Sequence, residues 1–259
     1  MTDTGPLTGI GVLVTRPAAQ ATSMLAQLHA WGAQPMLFPA LATVGLEHSP
    51  GLHAYLAHIA DYHRVIFVSP NAVNFGLTQI PADTRVQIKA VAVGKGTAKA
   101  LRAAGCQNIL TPETGADSEH LLALPEFEHL LGQRMLIVRG QGGRELIANS
   151  LRTRGAEVDY AECYRRICPD TDPAPLLAAL MAKQIHASTV FSSETLDNLL
   201  GLLPSNAVEA IRELPLFVPH TRIAQHAQTK IFTRIIVTNP GEPGLLAGLV
   251  EYFAHDRIN

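Results

Sequence analysis

The chain has 259 residues, 47% hydrophobic and 16% charged, with a mean hydropathy of +0.15; at roughly 100–200 residues per domain this supplies one large core or two smaller ones, and excludes a disordered chain. Lys and Arg number 20 against 22 Asp and Glu, a formal net charge of −2, which argues against a basic nucleic-acid binder, and no apolar run reaches the roughly 18 residues of a membrane span. The opening Met-Thr-Asp-Thr-Gly-Pro has neither a basic nor an apolar leader, and three cysteines without a CxxC pair read as reduced thiols, so a cytoplasmic protein is expected.

Short β-branched runs alternate with helix-period segments along the whole chain, the signature of parallel βα units. Strands are predicted over residues 10–14, 35–38, 65–68, 90–93 and 108–110, then over 135–138, 158–163, 189–191, 216–218 and 234–237, five in each half. The helix predicted over 18–31 has Pro17 pre-set at its first position and stops at Gly32, and segments 97–104 and 143–154 stop at Gly105 and Gly155. Gly9-Ile-Gly-Val-Leu-Val-Thr-Arg16 aligns without gaps on Gly132-Gln-Arg-Met-Leu-Ile-Val-Arg139, an offset of 123 (139 − 16). Phe67-Val68-Ser69 aligns with Phe191-Ser192-Ser193 at 124 (191 − 67). The halves therefore read as a duplicated unit, each suited to a flavodoxin-like doubly wound sheet. The division falls near 126–131, or else the two second-strand segments, 35–41 and 158–166, serve as linkers and the chain crosses twice.

In open parallel sheets ligands sit at the carboxyl ends of strands, where helix N-termini present free N–H groups. Those positions read Thr15-Arg16-Pro17, Ser69-Pro70-Asn71, Gly94-Lys95-Gly96-Thr97, Arg139-Gly-Gln-Gly-Gly-Arg144, Ser192-Ser193 and Pro219-His220-Thr221-Arg222. Hydroxyls, glycines and arginines suit anions, and no nucleophile–base pair stands out. Gly94-Lys95-Gly96-Thr97 has the wrong order for a P-loop, and Lys99 replaces the last glycine of a dinucleotide fingerprint. His53, His58 and His63, spaced by five, spread around a helix instead of forming a metal face. Ser192-Ser193 lacks a Gly-x-Ser-x-Gly elbow. Tyr164, beside Arg165-Arg166, is a phenol able to donate a proton or hydrogen bond at neutral pH.

The segments VLVTRP (12–17), VIFVSPNAV (65–73), VAVGKGTAKAL (91–101), LIVRGQGGRELIANSLRTRGAEV (136–158), CYRR (163–166), VFSS (190–193) and VPHTRIA (218–224) together resemble the uroporphyrinogen-III synthase family, in family order and nearly end to end. Two departures are Val68, where the family commonly has Thr, and a turn after Ser193 one residue short. The resemblance implies two similar five-stranded α/β domains, 1–36 plus 167–259 and 38–165, joined by extended linkers near 35–41 and 160–167. It implies a cofactor-free dehydrating cyclisation of hydroxymethylbilane, a linear tetrapyrrole with eight carboxylates, in the cleft between the domains. Water leaves the ring A hydroxymethyl group, the resulting azafulvene attacks the substituted carbon of ring D, and a spiro-pyrrolenine fragments and recloses with that ring inverted. Tyr164 matches the family tyrosine and is the implied catalytic group, while Arg16, Ser69, Thr97, Arg139, Arg144, Arg166, Ser192, Ser193 and Thr221 are the implied substrate-binding set. Arg16 and Arg139 have a second reading, as braces of the sheet ends. A monomer is expected, with no membrane or nucleic-acid partner and a transient handover from the upstream bilane-forming synthase. The competing reading of the same lining is a non-enzymatic two-domain protein that binds a polycarboxylate; a nucleotide-dependent transferase would require phosphate-loop spacing that the glycine clusters lack.

Overall fold

A computed structural model describes residues 5–46, 50–78, 80–115 and 117–256; the remaining residues of the expected domain ranges lie outside it. Among the described residues the strands are β1 (Gly11–Val14), β2 (Gln34–Leu37), β3 (Ala42–Gly45), β4 (Arg64–Phe67), β5 (Ala90–Ala92), β6 (Ile109–Leu110), β7 (Arg134–Gly140), β8 (Glu157–Ile167), β9 (Ala187–Thr189), β10 (Leu216–Val218) and β11 (Ile235–Val237). A strand forms at or beside each of the ten predicted positions, β9 lying two residues before the expected 189–191, with helices between them. The chain divides into two compact units, Met1–Ala42 with Ile167–Asn259, and Thr43–Arg166.

The sheet of the discontinuous unit has the order β11-β10-β9-β1-β2, with every neighbouring pair parallel. Numbered within the unit this is 2-1-3-4-5, the flavodoxin-like doubly wound order. Alternation along β1 fills both faces: Val12 and Val14 join Met24, Leu28 and Leu249 on one side, while Leu13 joins Leu176, Leu196 and Ile223 on the other.

The sheet of the other unit runs β3-β8-β7-β4-β5-β6. Its five parallel strands repeat the same order, with β7 and β8 in the places of β1 and β2. Each unit thus takes its first βα unit from one half of the sequence and its last three strands from the other. The sheet has six strands where five are expected. β8 runs eleven residues and leaves an edge open, and β3, where no strand is expected from the sequence, pairs there, with Leu46 N–H donating to Cys163 O at 3.0 Å.

Helix ends follow the glycines. Gly32, Gly105 and Gly155 all have φ between 78° and 92°, and Ala33, Cys106 and Ala156 close the ends by donating to Leu28, Leu101 and Leu151. Three starts differ from expectation. The helix expected from residue 97 begins at Lys95. Pro17 stands just before the helix Ala18–Ala30, and the helix expected from residue 143 begins at Leu146, since Gly142 and Gly143 are left-handed (φ 74° and 113°) and cannot continue a right-handed turn.

Strand pairing corrects the second repeat offset. Leu13 pairs with Ser188 and Leu136 with Val65, so the offset of 123 (136 − 13) also relates β4 to β9 (188 − 65). Ser69 therefore corresponds to Ser192 and not to Ser193. Capping agrees: Ser69 Oγ accepts from Ala72 N–H and Ser192 Oγ from Thr195 N–H, each at 3.1 Å.

Candidate active site

In the Thr43–Arg166 unit, the carboxyl ends of β4, β7 and β8 bring Ser69, Gly140 and Tyr164 together. The cause is a register shift. β7 and β8 pair regularly up to Arg139 with Glu162, and the next pair is Gly140 with Tyr164, so Cys163 is an extra residue. Regular pleating would point Cys163 and Tyr164 to opposite faces. The bulge instead lets both enter the core cluster with Ala72, Val73 and Leu77. Cys163 Sγ lies 3.4 Å from Arg139 O and 3.7 Å from Ala72 O, and burial pushes its thiol up to about 12, so it is a packing group and not a nucleophile.

Tyr164 is 7% exposed. Its ring lies over Gly140, where a Cβ would stand 2.5 Å from Cε2 and 2.6 Å from Cζ, so the bare backbone is what admits the ring. Phe75 stacks on it at 5.7 Å, tilted 31°. Its hydroxyl is 3.1 Å from Ser69 Oγ. The backbone is tied as well, Gln141 N–H donating to Tyr164 O at 2.7 Å. Packing below, beside and along the strand leaves the phenol with a fixed position.

Thr97, 4% exposed, sits in the first turn of the helix Lys95–Ala103 after β5. The Gly94-Lys95-Gly96 turn puts Gly94 at the helix cap with no side-chain partner, which leaves the first N–H groups of a nine-residue helix uncapped by a side chain. Arg144 is exposed on the left-handed glycine loop after β7, and Arg166 is exposed near the end of β8.

Arg139 is held by its own unit. Nη1 donates to Glu145 Oε1 at 2.8 Å, Nε lies 3.4 Å from Glu162 Oε1 without hydrogen-bond geometry, and the guanidinium stacks 4.3 Å from the Tyr160 ring centroid. Tyr160 in turn donates to Glu145. That bond, followed by Arg139, holds the Glu145 carboxyl below its ordinary range. Burial alone would lower the Arg139 value, but Glu145 outweighs it and the guanidinium stays firmly charged.

In the other unit Arg16 has an analogous setting, ion-paired to Glu242 in the first turn of the helix Gly241–Asp256 and stacked 4.4 Å over Phe191. Both repeat arginines thus have carboxylate and aromatic partners inside their own units. Ser192 caps the helix Ser193–Leu202, sharing a 2.8 Å hydroxyl contact with Thr195. Ser193 opens that helix, and Thr221 opens the helix Thr221–Thr229, exposed.

Several members of these two clusters have no role assigned from the sequence, although Thr15 and Gly140 stand among its strand-end positions. Thr15 donates to Thr189 O at 2.6 Å and Thr189 to Leu13 O at 2.8 Å, a buried brace between β1 and β9. Thr195, Phe75, Glu145 and Glu162 also have no role assigned. Gly140 carries a sequence signal, as a glycine directly after a strand arginine. Among the described residues no group of three or more His, Cys, Asp or Glu could hold a metal ion, and no helix is long and apolar enough to cross a membrane.

Residues 22–247 match the family model described as uroporphyrinogen-III synthase HemD. The chain is 34% identical over 198 residues to the uroporphyrinogen-III synthase of Escherichia coli (strain K12), covering 75% of this chain and 80% of that one. It is 33% identical over 209 residues to that of Synechococcus elongatus, covering 78% and 77%. The fold is similar to that of a mutant uroporphyrinogen III synthase from the extremely thermophilic bacterium Thermus thermophilus (TM-score 0.57, 17% identity, 95% of this chain and 99% of that one). It is also similar to that of uroporphyrinogen-III synthetase from Helicobacter pylori (TM-score 0.59, 15% identity, 94% and 99%).

Proposed function

The chain belongs to the uroporphyrinogen-III synthase family, and from that premise we propose that it converts hydroxymethylbilane to uroporphyrinogen III with Tyr164 assisting departure of the ring A hydroxyl. The observation that carries the role of Tyr164 is its confinement: a phenol 7% exposed, seated on Gly140, stacked on Phe75 and hydrogen-bonded to Ser69 at the carboxyl end of a parallel sheet. A proton donor held in one place gains rate by orientation, since the reacting groups need no search. The pyrrole nitrogen supplies the electrons that expel water, so the chemistry asks for no flavin, nicotinamide or metal. The protein's share is to polarise the hydroxyl, hold the chain curled and prevent closure to the uninverted isomer.

In this reading Thr97, Arg144 and Arg166 from one unit, and Ser192, Ser193 and Thr221 from the other, receive substrate carboxylates through hydroxyls, guanidinium groups and helix N–H groups. Arg16 and Arg139, already paired within their units, brace the sheet ends, and Arg139 orders the loop that presents Arg144. Beyond their residues paired in β2 and β8, segments 35–41 and 160–167 act as linkers. The enzyme works as a cytoplasmic monomer and takes its unstable substrate from the bilane-forming synthase upstream.

The test is isomer-resolved product analysis, with the upstream synthase generating hydroxymethylbilane in place. The protein should divert it from isomer I to isomer III, and Tyr164→Phe should lower turnover well over tenfold, consistent with loss of a general acid worth on the order of 100-fold, while the far-UV spectrum stays unchanged. Isomer I alone from the unaltered protein would leave the polycarboxylate-binding reading standing. Full turnover in the variant would remove Tyr164 from the mechanism.

A further inference from the structure

We propose that Ser69 acts through Tyr164, as a positioning residue that donates its proton to the phenol oxygen, and not as a ligand of the substrate's carboxylates; this rests on the reading of Tyr164 given above. Ser69 Oγ has one proton to donate and two lone pairs. One lone pair accepts Ala72 N–H at 3.1 Å, because Ser69 caps the helix Pro70–Gly76. The phenol oxygen of Tyr164 stands 3.1 Å away. If the phenol donated to Ser69, its proton would be occupied and could not serve the leaving hydroxyl. With Ser69 as donor, the phenol proton is turned away from the serine and free, and the serine proton lies against the atom on which negative charge grows. That single proton cannot also hold a carboxylate, which accepts only.

The step balances. The phenol proton passes to the hydroxyl oxygen on ring A, the C–O bond breaks and its electron pair leaves with water. The pyrrole nitrogen's pair forms the new double bond, giving a cationic azafulvene beside a phenolate that Ser69 stabilises. When ring D recloses at its unsubstituted carbon, the proton lost from that carbon as the pyrrole regains aromaticity returns to the phenolate. Gly140 and Phe75 hold the ring, and Ser69 fixes the remaining freedom, the direction of the O–H. The β4 helix cap thus has a second task that its repeat counterpart lacks: Ser192 faces Thr195 within its own helix, and the position 123 residues before Tyr164 is Leu41.

A double-mutant cycle separates the two roles of Ser69. Ser69→Gly removes the hydroxyl while leaving an acceptable helix cap, and Ser69→Thr keeps both. Turnover, KM and thermal unfolding are measured for these, for Tyr164→Phe, and for Ser69→Gly combined with Tyr164→Phe. Ser69→Gly should lower kcat on the order of 100-fold, as loss of one donor to a developing anion does, with KM changed less than about twofold. Ser69→Thr should recover turnover to within about threefold of the unaltered enzyme. In the Tyr164→Phe background the glycine substitution should cost less than about twofold more, because the group it acts through is already gone. A raised KM with unchanged kcat, or the same loss in both backgrounds, would overturn the proposal and return Ser69 to the substrate. Should the glycine variant fail to fold, a Ser69→Thr enzyme with a raised KM and normal kcat overturns it equally, and one with both values preserved supports it. Failure of the parent reading looks different: Tyr164→Phe alone would then retain full turnover.

Discussion

Replacing Gly140 by alanine tests whether the phenol's position, and not merely its presence, matters. Gly140 lies outside the left-handed region, so the added methyl group brings no backbone strain and acts by contact alone. It would stand 2.5 Å from Tyr164 Cε2 and 2.6 Å from Cζ, against an ordinary carbon–carbon separation of about 3.5–4.0 Å, so the ring must recede by about 1 Å. The hydroxyl contact to Ser69, at 3.1 Å, has only about 0.4 Å of margin before it ceases to be a hydrogen bond. Overpacking of this kind costs about 1–3 kcal/mol of stability, and a 1 Å misplacement at a reacting centre costs on the order of 100-fold in rate. Urea unfolding and isomer-resolved turnover of Gly140→Ala should therefore both fall. The stability control is Gly96→Ala, whose Cβ meets only Pro70 Cγ at 3.9 Å and which, within a helix, should hold or slightly raise the unfolding midpoint. An unshifted midpoint together with full turnover in Gly140→Ala would refute the claim that this glycine seats the ring.

Two further outcomes follow from the electrostatics and burial. Glu145 is held below its ordinary range by Tyr160 and then Arg139, and Asp197, though burial pushes it upward, is carried below by Lys230 and His226. A carboxylate depressed in the folded state contributes stability above its unfolded value and loses it as pH falls through the folded one, so the thermal midpoint should drop between about pH 5 and about pH 3. Glu145→Gln should flatten part of that drop, and a variant that declines as steeply as its parent would count against the Arg139–Glu145–Tyr160 cluster. All three cysteines are free, but Cys106 and Cys163 are buried, with burial raising both thiols, while Cys168 is exposed. Iodoacetamide at neutral pH should label Cys168 alone in the folded protein and all three after unfolding, as mass spectrometry of the intact chain will show; rapid labelling of Cys163 would contradict its place in the bulge.

Sequence alone determined the ten parallel strands, the three glycine helix stops and the duplicated VLVTR and LIVR strands, because each is encoded locally. A strand buried on both faces must be apolar throughout, and a helix that ends in a left-handed residue requires glycine there. The strand ends of an α/β sheet also marked out Ser69, Tyr164 and the two repeat arginines. What those residues meet was decided by the tertiary structure. Ser69 and Tyr164 are 95 positions apart, and their contact exists because β8 gains one residue against β7 at Gly140, a misalignment that no periodicity of either strand records. The same bulge put Cys163 and Tyr164 on one side. Pairing also fixed the single offset of 123, since the strand neighbours of Leu13 and Leu136 are set by hydrogen-bond register and not by resemblance of serine motifs. The third strand forms only because the long β8 leaves an edge for it. Arg139 and Arg16 are the clearest case: their sequence positions suit an anion, and it is Glu145, Glu162 and Glu242, brought beside them by folding, that satisfy their charge.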